Sequence, residues 1–293
     1  MRFGLLKNNM KILVVIGNYG LSHFDYLNRL INEMKLWPGR VDIVIHTDVP
    51  LGIIGVQEKI VNCPPIKILL STRETIFNNY GKYDLYIFTE NDNLITWHNI
   101  ESWIKCTKKV KLPYIVGFFQ YEEYGDKIGI GSPNQSPKMW YPSHHLFYNW
   151  EEETAFKKGK YILCHHTNLH QASYVLNNEL LGYVMSHTNP NPWTGENHPS
   201  DSPNIDQHYG PLERANADVF NTPGIKKVIP ISHLKDFLIW HQPNKYRDYL
   251  GTPSDDMNKI IKVIVEAIQN KELPKTIKKG IIKKCGLVKH FKK

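Results

Sequence analysis

Apolar positions alternate between two patterns along the first third of the chain. Lys11 to Ile16 reads as a strand buried on both faces, because Ile12 to Ile16 is one unbroken apolar run. Gly17 to Ser22 reads as a turn, after which Phe24, Leu27, Leu30, Ile31 and Met34 fall at helical spacing. Val41 to His46 is a second strand that ends in Thr47-Asp48, Ile66 to Leu70 a third short one, and Thr72 to Tyr80 a helix. Tyr83 to Phe88 is again β-branched and aromatic, followed by a helix over Leu94 to Cys106 and a strand over Tyr114 to Phe119. Strand, helix, strand units in succession predict an α/β fold, a Rossmann-like and mostly parallel central sheet flanked by helices.

The pattern then breaks. Gly125 to Trp150 mixes Gly, Pro, Ser and aromatic residues without sustained period, which predicts loops and short hairpins. Asn168 to Leu181 regains a helical face of Ala172, Val175, Leu176 and Leu180, with Asn168 as N-cap and Gly182 just past the C-terminus. Thr188 to Tyr209 is polar and proline-rich, and such long irregular stretches within a domain usually carry function. Val228 to Ile231 is strand-like and Asp255 to Gln269 is a closing helix. The expected organisation is one domain over 1–270, its halves about 10–120 and 121–250, with a separate tail over 271–293.

Charge sharpens that division. The chain of 293 residues has a formal net charge of +8, but nine lysines against one acid lie between Lys271 and Lys293. That leaves 27 basic and 27 acidic residues over 1–270, so the domain has no nucleic-acid footprint. The tail suits plain solvation or peripheral contact with an anionic membrane. At 41% hydrophobic and 22% charged residues the chain can bury a substantial core. Cys63, Cys106, Cys164 and Cys285 form no Cys-x-x-Cys pair, and no segment reads as a signal peptide or membrane span. The expectation is a cytoplasmic protein, peripheral on a membrane if the tail binds one.

Chemistry concentrates at one strand end. Tyr83 to Phe88 runs into Glu90-Asn91-Asp92, two carboxylates one residue apart. Ligands of open α/β sheets collect outside the carboxyl ends of the strands, and hard oxygen donors there suit Mg²⁺ or Mn²⁺ carrying a phosphorylated substrate. The same residues also suit a polar turn that caps the strand. Gly17-Asn18-Tyr19-Gly20 is not Gly-x-Gly-x-x-Gly, and no Gly-x-x-x-x-Gly-Lys-Ser/Thr occurs, so neither fingerprint of those nucleotide folds is present.

Three features together resemble the GT-A-type glycosyltransferases, which use nucleotide sugars: the early strand Lys11 to Ile16, Glu90-Asn91-Asp92 where that family has Asp-x-Asp, and the late His241. His241 stands in Ile239-Trp240-His241-Gln242-Pro243-Asn244-Lys245-Tyr246, and the resemblance spans roughly residues 10 to 250. It implies Mn²⁺ or Mg²⁺ held by Asp92 first, Glu90 next and His241 third. Glu90 is one methylene longer than the family's Asp, which leaves its own contact open. It further implies a nucleoside diphosphate sugar, UDP-linked by preference, met by Gly17, Asn18 and Tyr19 after the first strand and Asp48 after the second. Arg73 and Asn91 complete that set, and Lys245 is placed to pair with a phosphate oxygen.

For the acceptor, a hydroxyl of a glycan, lipid or protein, Glu213 is the first candidate base and Asp206 the second. Trp140, Tyr141 and Trp193 are candidate stacking faces in the irregular loops. Each of these residues also has a plain reading as a cap, an ion-pair partner or a packed aromatic. Two other functions use the same features: a nucleotidyltransferase or phosphohydrolase built on the same carboxylates, and a non-catalytic glycan-binding protein.

Overall fold

The computed structural model describes residues 9–124, 127–130, 155–165, 169–187 and 211–243. Asp206, Lys245, Trp140, Tyr141, Trp193, the segment 255–269 and the tail lie outside the described residues. In chain order the first elements are β1 (Lys11–Gly17), α1 (Phe24–Met34), β2 (Arg40–Thr47), β3 (Gln57–Ile60), α2 (Pro65–Asn78), β4 (Leu85–Glu90), β5 (Asn93–Leu94) and α3 (Trp97–Thr107). There follow β6 (Tyr114–Val116), β7 (Phe119–Tyr124), β8 (Lys127–Ile130), β9 (Ala155–Lys158), β10 (Tyr161–His165), β11 (Ser173–Asn177), α4 (Asn178–His187), α5 (Pro211–Phe220), β12 (Lys226–Pro230) and β13 (Leu238–His241). Among the described residues no helix is long and apolar enough to cross a membrane.

The chain divides into two compact units, Met1–Ile100 with His170–Ile225, and Glu101–Leu169 with Lys226–Lys293. The first is an α/β layer built on a five-stranded sheet of order β11-β4-β1-β2-β3. β4, β1, β2 and β3 are mutually parallel and β11 runs antiparallel to β4. Ile12 to Ile16 and Leu85 to Phe88 are buried throughout, as the unbroken apolar runs require of strands covered on both faces. α1 turns Leu27, Leu30, Ile31 and Met34 inward. Gly17 ends β1 where Leu69 of α2 packs against it: a Cβ there would sit 2.1 Å from Leu69 Cδ2, so that side chain would have to shift.

Three stretches differ from the expected elements, and the first is Tyr114 to Phe119, which is split between β6 and the start of β7 in separate sheets. Ile66 to Leu70 is not a strand but the opening of α2, which starts on Pro65 and runs unbroken to Asn78. A short apolar run has no period of its own, and proline in the first turn is pre-set for a helix. The strand there is β3, whose Gln-Glu-Lys-Ile carries no hydrophobic signal because it pairs with β2 as the outermost strand of this sheet. Asn168 to Leu181 is likewise not one helix: Ser173 to Asn177 forms β11, buried over its first four residues beside β4. The helix α4 begins only at Asn178, with Asn177 Oδ1 accepting from Leu180 N at 2.9 Å in the capping role expected of Asn168.

The second unit contains a sheet of order β6-β12-β10-β9 and, separately, β7 flanked by parallel β13 and antiparallel β8. Its core is tied by Trp103, whose indole N–H donates to the Val116 carbonyl at 2.9 Å, and by Phe118 against Phe237. Lys227 on β12 is buried, and that burial lowers its pKa well below the ordinary lysine value.

Candidate functional site

Strand order decides where the first unit opens. From β1 the chain moves through α1 to β2 and β3 on one side, then crosses back through α2 to β4 on the other side of β1. The carboxyl ends of β1 and β4 therefore flank a topological switch point, where α/β sheets leave a crevice. Gly17 stands opposite Glu90 on one side and His46 on the other, so the residues just past each strand end meet there.

Asn18 stitches those ends together. It is 1% exposed, and its backbone N–H donates to the His46 carbonyl at 2.9 Å. Its side-chain Nδ2 donates to the Gly20 carbonyl at 3.0 Å and to Thr47 Oγ1 at 3.1 Å, while its Oδ1 accepts from Asn91 Nδ2 at 2.6 Å. One amide thus spends both protons and its carbonyl on three strand termini. Asp48 fixes the loop after β1 by accepting from Gly20 N at 2.8 Å, and Gly20 takes the left-handed φ of +59° that a side chain would resist.

Asp92 stands beside this stitch, with its side chain 12% exposed. Its Oδ1 accepts from Asn93 Nδ2 at 2.9 Å, and its Oδ2 lies 3.4 Å from Nδ1 of His23, a ring that is itself 34% exposed. His23 packs edge-on against Tyr26, with ring centroids 5.5 Å apart. Glu90 ends β4 and gives its N–H to the Ala172 carbonyl at 3.0 Å. Tyr19, on the loop after β1, is 54% exposed. Among the described residues no three His, Cys, Asp or Glu side chains gather as a ready-made metal cage. The donor set fits a different arrangement, in which a hard cation keeps most of its shell from water and substrate phosphates and takes one or two carboxylates from the protein.

The structure brings Gly17, Asn18, Asp48, Glu90, Asn91 and Asp92 to the carboxyl edge of one sheet, with Tyr19 on the adjoining loop. It takes Arg73 elsewhere. That side chain is fully buried, with Nη2 donating to Asp218 Oδ2 at 2.9 Å and to the Arg214 carbonyl, where α2 packs on α5. Glu213 is in α5. His241 belongs to the second unit, at the end of β13, where parallel pairing with β7 sets it beside Glu122. Its Nδ1 is hydrogen-bonded to the Glu122 carboxylate and both residues are buried. A proton on Nδ1 leaves the lone pair of the neutral ring on Nε2.

His23, Thr47 and Asn93 were not among the expected site residues. Thr47 ends β2, Asn93 opens β5 and His23 precedes α1, and none carries a local pattern that separates it from an ordinary polar residue at an element end. His46 is the opposite case, a polar residue near the end of β2 that turns away from the site. Its Nδ1 and Nε2 lie 2.7 Å from Ser71 Oγ and 2.7 Å from Thr75 Oγ1 on α2. Ser71 donates its own proton to the Ile68 carbonyl, so Nδ1 must be the donor and Nε2 the acceptor from Thr75. That arrangement needs a neutral ring, and burial lowers the His46 pKa to about 4.

No family model and no curated protein sequence matches the chain. Among solved structures it is similar to residues 1–349 of TarS from S. aureus, at a TM-score of 0.42 and 13% identity over 96% of this chain and 72% of that one. The same TarS fragment in complex with UDP-GlcNAc gives 0.38 and 14% over 93% and 70%. The mannosyltransferase PcManGT from Pyrobaculum calidifontis, in complex with GDP-Man and Mn²⁺, gives 0.42 and 10% over 95% and 70%. Likeness at that level transfers neither activity nor ligand.

Proposed function

We propose that this chain is a divalent-cation-dependent glycosyltransferase. It takes a nucleoside diphosphate sugar, UDP-linked by preference, at the carboxyl edge of the sheet in the first unit and passes the sugar to a hydroxyl of a glycan, lipid or protein. The observation that supports this reading is the stitch at the switch point, where Asn18 and Asn91 hold three strand ends around the Asp92 carboxylate.

In this reading the loop from Asn18 to His23 is held open by Asp48, and Tyr19 offers its exposed ring to the base. Asp92, with Glu90 beside it on β4, would hold Mn²⁺ or Mg²⁺, which acts as a Lewis acid on the diphosphate as it leaves. His23 positions Asp92 by facing its Oδ2 across 3.4 Å, and Asn93 holds the other oxygen. The acceptor hydroxyl needs a proton acceptor for an inverting reaction, and Glu213 on α5 is its first candidate, Asp206 its second.

Thermal unfolding with UDP and with GDP, each with and without Mn²⁺ or Mg²⁺, tests the reading. Stabilisation that requires both nucleotide and cation, about 2.7 kcal/mol at a hundredfold excess over Kd, is expected and should vanish in Asp92→Ala. No stabilisation in any combination would sink it. Release of UDP with sugar transfer is the expected turnover, whereas release of pyrophosphate would mark nucleotidyl transfer instead.

A further inference from the structure

The first unit has a second concavity, at the amino-terminal end of the strands rather than at the crevice. It encloses about 640 Å³, within the range of small-molecule sites. Arg40 opens β2, Gln57 opens β3, Tyr83 precedes β4, and Asn78 closes α2. Leu13 and Val44 supply an aliphatic surface between them.

The charges of this groove are already matched. Arg40 donates to Asp42 twice, from Nη2 at 2.8 Å and Nε at 3.0 Å, and Lys59 pairs with Glu74 at 2.9 Å. An anion would find no uncompensated cation here. Burial works against the Asp42 carboxylate, yet hydrogen bonds from Arg40 and Tyr83 outweigh it and keep its pKa below the ordinary value. With Tyr83 Oη at 2.8 Å, Asp42 accepts three hydrogen bonds, fewer than the roughly four acceptor sites an ionised carboxylate offers.

Amides complete the lining. Gln57 and Asn78 are exposed and make no side-chain hydrogen bond to another described residue, so each presents a carbonyl and an NH₂ to solvent. A carboxylate, a phenol oxygen and two uncommitted amides thus line the groove with donors and acceptors beside an aliphatic surface. A ligand that answers every one of these groups without adding charge is polyhydroxylated. We infer that the groove bounded by Arg40, Asp42, Gln57, Lys59, Asn78 and Tyr83 is a carbohydrate-binding subsite, distinct from the carboxyl-edge site and holding a neutral oligosaccharide. It does not rest on the proposed activity, since nothing in it is contributed by the carboxyl edge.

The test is saturation-transfer NMR on the full chain with maltohexaose, cellohexaose, chitotetraose and mannohexaose, repeated with UDP and Mn²⁺ at saturation. Transfer to at least one of these is expected, undiminished by the nucleotide. The double variant Gln57→Ala/Asn78→Ala removes two side chains with no internal hydrogen bonds and should melt as the wild type does. It should bind the sugar on the order of tenfold more weakly, as two lost hydrogen bonds imply. No transfer to any of the four, undiminished binding in the double variant, or displacement by inorganic phosphate would each overturn the inference. Transfer retained in Asp92→Ala, alongside lost nucleotide binding, separates the fate of this groove from that of the proposed activity.

Discussion

Two acids of the first unit, Asp218 and Asp92, are both nearly withdrawn from solvent, but they are met by different partners. Asp218 faces Arg73, with side-chain exposures of 2% and 1%, while Asp92 faces His23 at 12% and 34%. The guanidinium is always charged and sits at 2.9 Å; the imidazole sits at 3.4 Å with a third of its surface in water. A sealed pair with a permanent charge, with Arg214 of α5 reaching the same carboxylate at 3.5 Å, locks α2 to α5. The longer contact to a partly exposed ring at the carboxyl edge of the sheet is the weaker tie. Arginine and aspartate types alone would suggest the reverse, since a lone arginine before an acidic motif reads as a phosphate contact.

Breaking the sealed pair should have the largest effect. Arg73→Ala leaves Asp218 buried with only the longer 3.5 Å contact from Arg214, and is expected to cost about 3 kcal/mol in urea denaturation. Replacing both partners, Arg73→Met with Asp218→Leu, should recover most of that loss, and equal destabilisation by the double variant would show that the charges themselves are required.

The histidines extend the same contrast. His46 is sealed between Ser71 and Thr75, with its pKa lowered to about 4 from 6.5. The unfolded chain binds this proton more readily than the folded one, so the contribution is full above pH 6.5 and is lost as pH falls toward 4. Roughly 3 kcal/mol of stability should disappear across that window. His46→Gln, compared with wild type by denaturation at each pH, should flatten that part of the profile; an unchanged slope would assign it to other groups.

Behind the site, Gly17→Ala probes how tightly α2 closes on the end of β1. A Cβ would meet Leu69 Cδ2 at 2.1 Å, and the repacking should cost about 1–3 kcal/mol by thermal or chemical unfolding. The smallest stability change belongs to Asp92→Asn. It keeps the Asn93 contact geometry while removing the charge, so the free chain should shift by no more than about 0.5–1 kcal/mol. Cation-dependent nucleotide stabilisation should nevertheless disappear. A fall in stability as large as that of Arg73→Ala would instead make Asp92 a structural acid.

β1 and β4 were legible because strands buried on both faces are apolar at nearly every position, β2 through its run Ile43 to Ile45, and α1 because its inward face repeats with helical period. Glu90-Asn91-Asp92 was legible as the end of such a run. β3 was not, since an outer strand needs backbone pairing more than apolar side chains. The opening of α2 and the whole of β11 were misplaced for one reason: a short, mostly apolar run suits a strand and a buried helix equally, and only the neighbours choose.

By itself the sequence determined the alternation of strand and helix in the first unit, the carboxylates at the end of β4 and the confinement of surplus charge to the tail. These follow from local composition and period. Which side of β1 receives β4 was decided by tertiary structure. So were the commitment of Arg73 and His46 to packing, the meeting of Asn18 with Asn91 and the placing of His23 3.4 Å from Asp92. Each depends on groups tens of residues apart meeting in space, and no local pattern records a partner that distant.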